Sequence, residues 1–164
     1  AHKKQLLHRG VCVFLFDTLG KLFVQQRSAQ KHLFPLHWDC SLSGHVLLAE
    51  APHDAAVREL HEELGVCVSR SQVKQLATFG FHEGEERMIV TFFVVRDFKG
   101  KIVPDAEEVA RGEFWTLAKV KSELAKGKRL IHPCFRKALS LFLELDGRTR
   151  EYVPLMKRSK TTKK

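Results

Sequence analysis

The stretch GHVLLAEAPHDAAVRELHEELGV, residues 44–66, decides how the rest of the chain is read. It carries Glu50, Glu59, Glu62 and Glu63 together with Arg58, and Gly44 and Gly65 stand near its two ends. Its central part, APHDAAVRELHEEL (51–64), predicts a helix. Pro52 suits a first turn, Asp54 complements the positive helix end, and Gly65 fits just past the last turn. At about 3.6 residues per turn, Glu59, Glu62 and Glu63 share an arc of roughly 100°. Val57, Leu60 and Leu64 occupy the neighbouring sector and can face a core, while Arg58 lies one turn before Glu62 and can pair with it. Three carboxylates on one stripe repel one another unless a cation sits among them. Hard divalent ions that prefer oxygen ligands, Mg²⁺ or Mn²⁺, are the natural partners. A solvated acidic helix face is the commoner fate of such a cluster in general, so the flanking pattern has to decide.

Working outward, VCVFLF (11–16) and KLFVQQR (21–27) are strand-like runs around the turn DTLG, a hairpin signal. KHLFPLHWDCSLS (31–43) reads as an irregular loop entering a short strand. QLATFGF (75–81) and RMIVTFFVV (87–95) flank the acidic turn HEGEE and predict a second hairpin, and GEFWTL suggests a further short strand. AKVKSELAKG and PCFRKALSLFLELDG then read as two helices, the second with an apolar face. Strands and helices mixed without βαβ alternation argue for an α+β layered domain.

The 164 residues suit one domain, taken as residues 1–150, followed by a basic and flexible tail at 151–164. With 28 Lys and Arg against 19 Asp and Glu the net charge is +9, so the long-range field favours polyanions or phosphorylated substrates. Cys12, Cys40, Cys67 and Cys134 show neither CxxC pairing nor zinc-like spacing, which points to a reduced, intracellular and cytoplasmic protein. No apolar run approaches a membrane span and no signal peptide is visible, although a removed leader would leave an organellar location open. Monomer and homodimer are both open.

Read as a signature, the opening stretch runs G, five residues, E, seven residues, R-E-U-x-E-E-x-G-U, with U an aliphatic residue. Gly44, Glu50, Arg58, Glu59, Leu60, Glu62, Glu63, Gly65 and Val66 fill every fixed position. This resembles the Nudix hydrolases, and the resemblance extends from about residue 8 to residue 143. It implies an α/β/α sandwich around a mixed sheet, with a loop-helix-loop metal site, and hydrolysis of a nucleoside diphosphate linked to another group. By position it implies that Glu59, Glu62 and Glu63 bind Mg²⁺ or Mn²⁺. The backbone carbonyl near Ser43 would contribute, and Glu50 would be a ligand or a supporting carboxylate. Arg58 would orient the carboxylates. The proton of the attacking water would go to a box glutamate or to one outside it, among Glu83, Glu85, Glu86, Glu107 and Glu108.

Within that family, HRGVCVFLFDTLGKLFVQQRSAQKHLFPLHWDCSLSGH (8–45) is similar to isopentenyl diphosphate isomerases and their hydrolase relatives. Their diphosphate-holding basic residues fall on Arg27 and Lys31, and two of their metal-binding histidines on His8 and His45. Their reactive cysteine falls on Ser43 and their catalytic glutamate on Met88, so the acid and base for isomerisation are absent. Trp38, with Phe34 and Pro35, is expected to wall the site or to pack. The leading expectation is therefore a metal-dependent hydrolase of a small nucleoside di- or triphosphate or related organic diphosphate. RNA with a cap or 5′-triphosphate, brought in by the basic surface, a non-catalytic RNA or assembly role, and isomerisation stand behind it.

Overall fold

A computed structural model describes residues 6–157, with side chains to residue 146. Strict alternation in β1 (His8–Asp17) divides its side chains between two cores. Val11, Val13 and Leu15 face one side and Cys12, Phe14 and Phe16 the other, all at 2% exposure or less. A strand apolar on both faces belongs in the middle of a sheet covered on both sides. β1 pairs antiparallel with β2 (Leu22–Arg27) and β4 (Leu42–His45), and parallel with β6 (Glu86–Phe98), from His8↔Met88 onward. β3 (Trp38–Asp39) and β7 (Val109–Trp115) pair with β2, and β5 (Lys74–Glu83) with β6. The result is a mixed seven-stranded sheet, ordered β3-β2-β1-β6-β5 along its main path.

Helix α1 (Pro52–Leu64) covers the Val11 face with Ala55, Ala56, Leu60 and Leu64, all fully buried. Each such leucine contributes about 1.5–3 kcal/mol through removal from water. Helices α2 (Leu117–Lys126) and α3 (Pro133–Lys157) cover the other face. There Phe14 meets Phe92 at 4.7 Å and Phe135 at 5.7 Å in edge-to-face contacts. This is the expected α/β/α sandwich. Among the described residues no helix is long and apolar enough to cross a membrane. The basic tail expected from residue 151 starts within the last turns of α3, and its side chains and residues 158–164 lie outside what is described.

Three features of this frame place the site. The β1–β4 register sets Val11 against Gly44 and Cys12 against Ser43 at the point where the chain turns into α1. The parallel β1–β6 pairing brings Glu86 and Met88 to the same end of the sheet. A bridge between Trp38 and Ile131, with His132 N–H donating to Trp38 O at 2.8 Å, ties the segment before α3 to β3.

Candidate active site

Gly44 closes the gap between β4 and α1. A Cβ there would stand 2.7 Å from Glu59 Cγ and 2.8 Å from Cδ, so any other residue would push this carboxylate aside. At the other end of α1, Gly65 adopts φ 62° and donates to His61 O, ending the helix in the left-handed conformation that glycine takes at low cost. Arg58 is the organising cation. Its Nε and Nη2 grip Glu50 at 2.8 and 3.0 Å, Nη1 lies 2.9 Å from Glu62 and 3.0 Å from Glu59, and Nη2 donates to His45 O at 3.1 Å.

Glu50 also accepts from Leu47 N–H at 2.9 Å, and the hydrogen bonds from Arg58 hold its carboxyl at about 2. Both of its oxygens are therefore engaged, and Glu50 braces the 45–50 loop. Glu62, with its side chain 55% exposed, stands on the outer edge of the stripe. The three-glutamate stripe is thus divided: Glu59 and Glu63 line a cleft of about 240 Å³, with Ser43 and Gly44 beside them.

Across that cleft lie Arg27 and Lys31. Arg27 is 13% exposed, pairs with the fully buried Asp39 at 3.2 Å and donates to Leu33 O at 3.2 Å. Its Nε is buried with no hydrogen-bond partner among the described residues. Lys31 pairs with Glu108. Burial first, then the charges of Glu108 and Glu59, push the Glu63 carboxyl up to about 8, with Lys31 opposing the shift. Burial also raises Glu59. Oxygen-only donors, one of which burial and neighbouring carboxylates keep protonated near neutral pH, are chemically matched to Mg²⁺ or Mn²⁺. Among the described residues no three His, Cys, Asp or Glu side chains are already drawn together around a point, and Arg58 holds Glu59 and Glu62 in their present positions.

Of the carboxylates outside the box, Glu86 and Glu108 line the cleft, whereas Glu83, Glu85 and Glu107 remain exposed away from it. Ser43 and Met88, the positions that would carry isomerase chemistry, do face the cleft. The nearby Cys40 is a buried thiol donating to Leu42 O at 2.9 Å, 3.9 Å from Ser43 Oγ, and burial pushes it up to about 11, where it is inert. His8 and His45 come together with ring centroids 5.0 Å apart, and His45 reaches the cleft wall.

Trp38 corrects the expectation of a substrate-binding wall. It is 2% exposed, tilted against Trp115 at 4.8 Å, with the Arg111 and Arg129 guanidiniums 5.0 and 5.3 Å from its ring. The pleat of β3 turns Asp39 toward Arg27 and sends Trp38 into the core beneath α3. His132, Asp39 and the wall residues Val11, Val90 and Cys134 escaped sequence reading. Asp39, charged between Trp38 and Cys40 in an otherwise apolar stretch, was the one signal on offer: a buried acid demands a cation.

Comparison with known proteins agrees with this architecture. The family model described as NUDIX domain matches residues 6–135. An isopentenyl-diphosphate Delta-isomerase of Streptomyces avermitilis is 35% identical over 123 residues, covering 73% of this chain and 62% of that protein. The chain thus spans less than two thirds of that relative's length. A protein of Pseudomonas aeruginosa named uncharacterized Nudix hydrolase PA4841 is 32% identical over 147 residues, covering 88% of this chain and 82% of its own. The crystal structure of DR0079 from Deinococcus radiodurans superposes with a TM-score of 0.70 at 24% identity, covering 82% of this chain and 83% of that one. A box intact at every fixed position, seated on this sandwich and matched from residue 6 to residue 135, places the chain in the NUDIX family.

Proposed function

We propose that the cleft is the active site of a Mg²⁺- or Mn²⁺-dependent hydrolase that cleaves the diphosphate linkage of a small nucleoside or other organic diphosphate. One observation carries this reading: the carboxylates Glu59 and Glu63 face the cations Arg27 and Lys31 across a single cleft. The relatives point the same way, since one is named for a diphosphate substrate and another as a Nudix hydrolase.

A diphosphate resists attack because its charge repels nucleophiles. Divalent ions held by Glu59, Glu63 and the strand preceding α1 would neutralise that charge and acidify a bound water. Arg27, fixed by Asp39 and Leu33 O, and Lys31 supply the positive charge for the phosphate oxygens on that side of the cleft. Arg58 keeps Glu59 from swinging into solvent and holds Glu62 at the rim. The proton of the attacking water goes to a cleft carboxylate, Glu63 or Glu108, which share one end of the cleft. Isomerisation lacks its thiol and its later-strand acid, because Ser43 and Met88 occupy those wall positions.

The test is release of phosphate or pyrophosphate from a panel of nucleoside, cap and prenyl diphosphates with Mg²⁺ and with Mn²⁺, using Glu63→Gln as control. Release that disappears in the variant supports the reading. Release unchanged in Glu63→Gln, or conversion of isopentenyl to dimethylallyl diphosphate, overturns it.

A further inference from the structure

Lys31 and Glu108 line the cleft as an ion pair, and the backbone fixes both of its roots. The turn 105–108 hangs on the C-terminal end of α1. Asp105 N–H donates to Glu63 O at 2.7 Å, and Asp105 O accepts the Glu108 N–H at 3.1 Å. On the other side Ser28 N–H donates to Glu108 O at 2.9 Å, and Lys31 N–H closes a turn onto Ser28 O at 3.2 Å. Arg27 pairs with Val109 between β2 and β7, so the two turns grow from paired strands. Their side chains, 30% and 34% exposed, therefore meet at a set place, unlike the wandering charges of an open surface.

The same anchoring puts Glu108 beside the acids proposed to hold the divalent ion. Its turn is bonded to the carbonyl of Glu63 itself. Burial first and then the Glu108 charge raise the Glu63 carboxyl, and Lys31 opposes them, so one ammonium acts on both acids. Among the described residues no three such side chains are gathered around a point, and the bond to Lys31 keeps Glu108 out of such a group. Lys31 is also one of the two cations that face the phosphates. The other, Arg27, has its acid partner Asp39 fully buried outside the cleft lining, whereas the partner of Lys31 is a cleft carboxylate. An ammonium that turns to a phosphate loosens its hold on Glu108, and the phosphate repels the carboxylate toward the cations on the far side.

We infer that Glu108 is a reserve member of the metal site, latched by Lys31 in the free protein and released when a diphosphate takes the ammonium, to join the divalent ion directly or through a bound water. This rests on the diphosphate hydrolase reading. Diphosphate and metal then bind with positive coupling, each raising the affinity for the other by the same factor.

Mn²⁺ binding to the protein without phosphate, followed through the electron paramagnetic resonance of the free ion, tests the latch. The cycle comprises wild type, Lys31→Ala, Glu108→Gln and the double variant, each first shown folded by thermal melting. Lys31→Ala should bind Mn²⁺ more tightly than wild type, although it removes a phosphate ligand. Loss of a nearby positive charge contributes to that gain whatever Glu108 does, so the deciding quantity is the cost of Glu108→Gln in the two backgrounds. It should be about tenfold larger in Lys31→Ala than in wild type, a coupling within the usual range for groups in contact. With methylenediphosphonate added, the cost in the wild-type background should rise by a similar factor, since chelation in solution is common to both proteins and cancels in their ratio. An equal cost in both backgrounds, a wild-type cost that the diphosphonate leaves unchanged, or no Mn²⁺ binding at all overturns the latch. Phosphate release from the diphosphate panel, followed separately, reports on the hydrolase reading: release with an additive cycle condemns the latch alone, and a coupled cycle without release condemns hydrolysis alone.

Discussion

Replacing Glu63 by Gln should produce two opposite effects in one variant. In the metal-free protein the Glu63 carboxyl titrates near 8, raised by burial and by Glu108 and Glu59. At pH 7 about nine-tenths of the molecules therefore carry that proton, and a divalent ion must displace it. Binding of Mg²⁺ or Mn²⁺ should release close to one proton per site at pH 7. Apparent affinity should climb roughly fifty-fold from pH 6 to pH 8 and then level off. The same shift acts on stability, with its sign fixed by the direction. A carboxyl whose folded-state pKa lies above its unfolded value favours folding while protonated. That contribution is complete below about pH 4.5 and is lost as the pH rises through 8. Glu63→Gln removes the loss, so the metal-free variant should be more stable than wild type at pH 8 by roughly 2–4 kcal/mol and little changed at pH 5. Metal affinity and turnover should collapse at the same time. Calorimetry in buffers of different ionisation enthalpy reads the proton, and urea melts of metal-free protein at pH 5 and 8 read the stability. A pH-independent metal affinity with no proton release, or a variant less stable than wild type at pH 8, would refute the assigned environment of Glu63.

Other substitutions separate structural from chemical roles. Arg58→Ala frees Glu50, Glu59 and Glu62 together and should cost about 1–3 kcal/mol in urea melts while weakening metal binding. Lys31→Ala removes a half-exposed partner of Glu108, so stability should stay within about 1 kcal/mol while kcat/KM falls roughly 10- to 100-fold. Arg27→Ala strands the fully buried Asp39 and should cost about 3–5 kcal/mol, visible as a large loss of Tm before any assay is run. Gly44→Ala presses a methyl group onto Glu59 and should lower turnover about a hundredfold with a small change in melting, because the side chain moves and the backbone does not.

Residues 44–66 determined the acidic helix by themselves. The helix, its caps, the Arg58–Glu62 pair and the outline of the acidic stripe all follow from neighbours within a few turns of one another, where spacing fixes geometry. The unbroken apolar run of residues 11–16 likewise marked a strand, although its burial on both faces came from the helices that cover the sheet. What the chain could not show locally was direction. Glu62 turned outward and Glu63 inward because β4 and the 105–108 segment close on one flank of α1, and Trp38 went to the core because the pleat of a two-residue strand turned Asp39 toward Arg27. His132 and Glu86 met because the Trp38–Ile131 bridge and the parallel β1–β6 pairing carry distant segments to the same wall. Such encounters depend on packing between elements far apart in the chain, and no local periodicity encodes them.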